Sequence, residues 1–234
     1  MRKILLSGLI ALLALVGLTT ASAPAGAVSS LTTPGKVTLV HGIPGANGFP
    51  VDITVSRSRT NTSVFRGVTY GTVAGPLDLL PGTYSLAIRV AGSSPISTPA
   101  LAGTLKVAAG SNQSVVAHLT EAGSPTVSIF QNDVSPTGAG NARVTVRHLA
   151  QAPAVDVIVN GSLELISALS NPGEATAVVP AATYDVRVTD AGTNTVTAFQ
   201  GDLSLAANST TIVYAVGSLG GGSFTPLVQV LPAG

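Results

Sequence analysis

The stretch LVHGIPGANGFPVDITVS at residues 39–56 returns, much of it intact, as VRHLAQAPAVDVIVNGS at residues 146–162. The likeness extends both ways from there. KVTLVH matches RVTVRH, LLPGTYSLAIRVAG matches VVPAATYDVRVTDAG, and GTLKVAAGSNQSVVAHL matches GDLSLAANSTTIVYAV. Order is kept through nearly all of both halves, so the chain is a tandem duplication. A duplicated unit points to two modest cores and not one large one. The units are residues 36–131 and 142–231. Residues 132–141 between them are polar and rich in Gly and Pro, the composition of a linker.

Within each copy, apolar residues recur at every second position. Val37, Leu39 and His41 share one parity, as do Val144, Val146 and His148. Val51, Ile53 and Val55 repeat the pattern in Val155, Val157 and Val159, and Tyr84, Leu86, Ile88 and Val90 repeat it in Tyr184, Val186 and Val188. Period two over short runs, punctuated by turns such as PG, NG and AGSN, predicts half-buried strands. With about seven or eight such runs per copy and no competing 3.6-residue pattern, the expected fold is all-β. The chain should form two tandem immunoglobulin-like antiparallel β-sandwich domains.

The first residues predict export. Arg2 and Lys3 precede an apolar run, Ile4 to Leu18, of about the length of a signal-peptide core. The small residues of ASAPAGAV follow, with cleavage expected after Ala27. The run is shorter than a membrane span. No Cys stands near the cleavage region to carry a lipid, and the sequence ends in VQVLPAG, not an apolar tail. The expected location is therefore secreted or associated with the cell envelope.

Loss of Arg2 and Lys3 from the eleven Lys and Arg leaves nine against ten Asp and Glu. That balance speaks against nucleic acid as partner, since phosphate binding needs clustered cations. The sequence has no Cys, so disulfides, thiolate metal sites and Cys nucleophiles are absent. Charged residues are only 9%, and Ser and Thr carry much of the polarity.

A His closing an apolar run, a Pro-containing loop, VDITV or VDVIV, then LPGTY or VPAATY form a pattern that resembles domain-of-unknown-function family 4397 (DUF4397). Both copies match over most of their length, and the second is closer. The first has three more residues between His41 and Asp52 than the second has between His148 and Asp156, and it carries SRSRT where the family has a short turn. The resemblance implies exported, often tandem β-sandwiches and brings no established activity.

Candidate chemistry centres on the repeated signature His41, Asp52, Tyr84 and His148, Asp156, Tyr184. An imidazole at a strand end can donate to a loop carbonyl, and an Asp beside a turn can accept backbone N–H groups. Tyr84 and Tyr184 follow PG and PAA turns in the manner of a tyrosine corner. The competing reading is a general base oriented by a carboxylate, an envelope-polymer hydrolase built on His148 and Asp156. It lacks a nucleophile signal, because no G-x-S-x-G occurs. The structural reading is therefore preferred, with no catalytic residue and no cofactor assigned.

His41, His118 and His148 are dispersed and form no metal motif, so no metal is assigned, and His118 has the parity of an exposed residue. GAGNAR at residues 138–143 neither follows a buried strand nor opens a helix, and reads as linker. Sequons at Asn61, Asn112, Asn160 and Asn208 mark surface turns. Arg57, Arg59 and Arg66 are the candidate ligand contacts, with the loops Gly45–Phe49 and Arg57–Asn61. The expected function is a non-enzymatic binding, adhesive or spacer module, its partner a cell-wall glycan or surface protein. Self-association through sheet edges is a further possibility.

Overall fold

The alternation commits each copy to two-faced strands, which the computed structural model contains throughout. It describes residues 33–45, 49–58, 62–193 and 195–234. The expected signal peptide, residues 1–27, lies outside the described residues. The first half carries β1 (Gly35–His41), β2 (Val51–Ser56), β3 (Thr62–Val68), β4 (Val73–Leu79), β5 (Gly82–Val90), β6 (Leu101–Val107), β7 (Asn112–Leu119) and β8 (Pro125–Gln131). The second carries β9 (Asn141–His148), β10 (Val155–Val159), β11 (Leu163–Leu169), β12 (Gly173–Pro180), β13 (Thr183–Asp190), β14 (Val196–Ser204), β15 (Ser209–Val216) and β16 (Thr225–Pro232). No helix among the described residues is long and apolar enough to cross a membrane.

Each half makes two four-stranded sheets. The orders are β4-β1-β7-β8 and β3-β2-β5-β6, then β12-β9-β15-β16 and β11-β10-β13-β14. The second pair repeats the first strand for strand, so the chain is two tandem β-sandwiches. Val37, Leu39, Ile53, Leu86 and Leu105 anchor the first core. Val144, Val157, Ile166, Val186 and Leu205 lie in the second.

One feature departs from the purely antiparallel sheets expected. β1 runs parallel to β7 from Lys36 opposite Asn112 to His41 opposite Ala117, and β9 runs parallel to β15 in the same way. The remaining strand pairs are antiparallel. A parallel pair needs a long crossover, which the five intervening strands supply. Side chains alternate with period two in either direction, so the sequence pattern does not distinguish the two.

A third buried cluster joins the halves. Val40 and Val116 of the first sandwich pack with Leu149, Ile212, Tyr214, Val216 and Leu231 of the second. These side chains stand on the outward faces of β1, β7, β15 and β16 and just past the end of β9, so those faces are covered as well. Burying each large apolar side chain contributes roughly 1.5–3 kcal/mol, so a cluster of this size holds the domains together. The linker is tied down as well. Thr210 Oγ1 donates to Asp133 O at 2.9 Å, and Arg143 Nη1 donates to Ser135 O at 2.8 Å. Asn132, at its start, is buried.

His118 shows what this packing does to an expectation from parity. It points outward as predicted, yet it is 0% exposed, because the outward face of β7 is the domain interface. Its Nδ1–H donates to Leu119 O at 2.8 Å, which leaves Nε2 to accept from Ser128 Oγ at 2.8 Å.

Candidate functional site

The two signature Asp residues follow the first residue of β2 and of β10. Asp52 Oδ1 accepts from Gly67 N at 2.9 Å and Oδ2 from Gly92 N at 3.3 Å, with Arg66 Nη1 3.6 Å away. Asp156 repeats this on Ala168 N and Gly192 N, both at 2.7 Å. In each copy one carboxylate fastens a kink in the neighbouring strand to the turn that follows β5 or β13. The kink residue adopts a left-handed backbone, φ 62° at Gly67 and φ 49° at Ala168. Gly takes that conformation without strain, whereas Ala does not, so the Asp156 bond has more to hold.

The His residues spend their bonds on a different loop. His41 Nε2 donates to Phe49 O at 2.9 Å, and His148 Nε2 donates to Pro153 O at 2.8 Å. Nδ1 of each ring is buried without a partner. Burial holds both rings below the ordinary imidazole pKa, against the opposing pull of the carbonyl each one binds. None of these imidazoles is hydrogen-bonded to a carboxylate among the described residues. Tyr84 OH donates to Leu80 O and Tyr184 OH to Pro180 O, each at 2.8 Å and four residues back, closing the turn before its strand.

Arg57 and Arg66 do not share one patch. Arg57 follows the C-terminal end of β2 and donates from Nη1 to Pro81 O at 3.1 Å. Arg66 stands near Asp52 at the opposite end of that strand, roughly 15 Å away at the rise of an extended chain. Arg59 lies outside the described residues, as do residues 46–48 of the Gly45–Phe49 loop and residues 59–61 of the Arg57–Asn61 loop.

Polar side chains converge instead at the domain junction. Arg147 is 1% exposed and donates from Nε to Glu174 Oε2 at 2.9 Å, and from Nη2 to Gln131 O and Asn132 Oδ1 at 3.2 and 2.9 Å. Its Nη1 donates to Tyr214 OH at 3.3 Å. The Tyr214 hydroxyl is 2.6 Å from both Ser114 Oγ and Gln229 Oε1, and Gln229 Nε2 donates across the junction to Thr38 Oγ1 at 2.8 Å. Desolvation raises the pKa of Tyr214, which keeps that hydroxyl protonated. Separately, Glu121, Gln151, Pro153 and Ser218 line an open polar cleft of about 490 Å³ between the domains. Among the described residues no three His, Asp or Glu side chains gather closely enough to hold a metal ion.

Residues 35–158 match the family described as "Domain of unknown function (DUF4397)". The chain belongs to that family. The DUF4397 match takes in the whole first sandwich, the linker, β9 and most of β10, and so reaches His148 and Asp156 of the second signature. No curated protein matches the chain.

The solved structures that align with it include two of low similarity. The Bacillus anthracis TIE protein is 12% identical over 78% of this chain and 33% of its own, with a TM-score of 0.25. A leucine-rich repeat protein from Bacteroides thetaiotaomicron is 16% identical over 80% of this chain and 26% of its own, with a TM-score of 0.24. The chain thus spans about a third and about a quarter of these proteins' lengths. Superpositions this loose carry no argument about the DUF4397 chain.

The residues missed from the sequence are Arg147, Tyr214, Gln229 and Asn132. A signal for them existed. SVVAHL and TIVYAV are nearly continuous apolar runs, the mark of strands covered on both faces. Val40 and Val116 of the first copy are Arg147 and Tyr214 in the second, so the copies differ at the face where they meet.

Proposed function

We propose that the protein is an exported, non-enzymatic DUF4397 module of the cell envelope, in which two copies of the domain act as one rigid binding or spacer unit. The observation that carries this reading is the Arg147 network and the apolar cluster around it, which hold the sandwiches in one fixed orientation. A rigid unit presents its end loops at a constant spacing, which suits attachment to, or separation of, surface components. The signature residues support the same reading. Each Asp, and Nε2 of each His, is bonded to backbone that it positions, so these groups serve the fold. The partner proposed is a cell-wall glycan or a surface protein contacted by loops.

The test uses the chain from residue 28 onward, with peptidoglycan fragments, envelope glycans and surface proteins immobilised in parallel. Saturable binding to one class supports the binding role. Silence on all of them, with solution scattering that fits the fixed two-domain shape, leaves the spacer role. Turnover of an envelope polymer that His148→Gln abolishes without loss of stability overturns the non-enzymatic reading.

A further inference from the structure

The two sandwiches share a topology but differ in how fully they are packed. At paired inward positions the second copy carries smaller side chains. Leu39, Ile53, Leu86 and Ile88 of the first core correspond to Val146, Val157, Val186 and Val188, and Leu77 corresponds to Ala177. The reverse exchange occurs at Val68, Leu101 and Val107, which become Leu169, Phe199 and Leu205. Closely packed interiors register the loss of single methylenes, so several such losses facing one another leave space unless the sheets close in.

The sheets do not close in. A cavity of about 220 Å³ runs between them, walled by Val146, Val157, Val188, Phe199, Leu203 and Val228. It also opens outward. In the first sandwich the edge strands β6 and β8 meet, whereas β14 and β16 make no comparable contact. Tyr84 and Leu105 are 1% and 0% exposed, while their counterparts Tyr184 and Leu203 are only half-buried. On the inner side of β16, Val228 and Val230 face solvent. The second core is thus an apolar slot with an unsealed edge.

From these differences we infer that the second sandwich binds a single uncharged hydrocarbon chain, such as the acyl chain of a lipid, which enters between β14 and β16. Shape and chemistry select this occupant. The space extends along β9 from Val144 to His148, roughly 13 Å at the rise of a strand, which favours an elongated ligand over a compact one. It exceeds the roughly 150 Å³ of a dry cavity that takes benzene, and falls below the roughly 300 Å³ at which drug-sized pockets begin. The wall is almost wholly aliphatic and aromatic and carries no Lys or Arg to pair a buried anion. His148, kept neutral by burial, closes one end, and Asp202 also joins the lining, so the slot offers no cation to a carboxylate and suits a neutral head group better. The inference concerns the second core alone and is independent of where the protein resides.

The test titrates the full chain with the neutral probe N-phenyl-1-naphthylamine and displaces it with 1-decanol or with decanoate. One saturable site, emptied by decanol more readily than by decanoate, is the expected result. The triple variant Val157→Ile/Val186→Leu/Val188→Ile restores the first copy's residues and should weaken uptake about tenfold or more. Ile53→Val/Ile88→Val in the first sandwich should leave uptake unchanged. A decanol-dependent rise in the Tm of the unaltered chain reads the same site without any variant. Failure of the unaltered chain to take up probe or to gain Tm overturns the inference, as does undiminished uptake by a folded triple variant.

Discussion

The guanidinium of Arg147, in the second sandwich, lies 4.5 Å from the ring centroid of Phe130, in the first. The ring of Tyr214 is 5.4 Å away, so the cation is held near two aromatic rings while its N–H groups bond Glu174, Asn132 and Gln131. Removing it leaves those acceptors buried or half-buried without their donor. Arg147→Ala should therefore destabilise the protein by about 3 kcal/mol, the low end for breaking a buried pair, because Glu174 can turn to water. Urea unfolding should also change in form, from one shared transition to two separable ones. A single transition with an unmoved midpoint would show that the domains do not depend on this contact.

Asp156 and Ala168 make a second pair whose energetics can be read singly. Ala168 is exposed and adopts φ 49°, so its methyl group contributes strain and little packing. Ala168→Gly should raise stability by about 1 kcal/mol, the reverse of the usual sign for that exchange in a strand. Asp156→Ala removes two short bonds from backbone N–H groups to a carboxylate and should cost about 2–4 kcal/mol. Asp52→Ala should cost less, since its bonds are longer and the residue it holds is Gly67. Equilibrium denaturation of the three variants gives the order directly.

The sequence carried the strands, their parity and the anchoring signatures, because those depend on neighbours within one copy. Val51, Ile53 and Val55 point inward whatever the rest of the chain does, and Tyr84 can reach back only as far as its own turn. It could not show how the copies meet. His118 lies on the outward face in both readings, and only the second sandwich makes that face an interior. Arg147 lies off the inward parity of Val144, Val146 and His148, and nothing within its own copy shows that Phe130 and Asn132 cover it. The separation of Arg57 from Arg66 was hidden for a related reason. Arg57 follows β2 and Arg66 lies on β3, and the antiparallel register of those strands decides which end each occupies.

The three His residues give the protein a pH dependence of definite sign. Burial holds His41, His118 and His148 below the ordinary 6.5, each against backbone bonds that pull the other way. The folded state thus keeps its rings neutral while the unfolded chain takes up protons near 6.5. Their contribution is fully present above pH 6.5 and is lost as pH falls below it toward the folded values. Each ring adds up to about 1.4 kcal/mol per pH unit within that window. Asp133, held low chiefly by hydrogen bonds from Ser135, adds its own loss only once pH falls below 3.8. Urea midpoints at pH 8 and pH 7 should nearly coincide, with a steady decline from pH 6 to pH 5. His118→Gln should flatten that decline by about a third.

Gly42 tests the junction from the steric side. A Cβ placed there would lie 2.6 Å from Val216 Cγ1 and 3.1 Å from Ala117 O. Val216 belongs to the second sandwich and has no exposed volume to retreat into, and Ala117 O is backbone that already accepts from Gly42 N at 2.7 Å. The strain of Gly42→Ala must therefore appear as separation of the domains. Overpacking of this kind should cost about 1–3 kcal/mol. Gly92→Ala would add a Cβ that meets no atom within 4 Å, so its cost should be confined to the backbone at φ 80°. Hydrogen exchange separates the two effects. Gly42→Ala should speed exchange on both faces of the junction, in β7 and β15 together, whereas Gly92→Ala should affect the first sandwich alone. Unchanged protection of β15 in Gly42→Ala would mean that the second domain does not feel the contact, and the fixed two-domain unit would lose its mechanical basis.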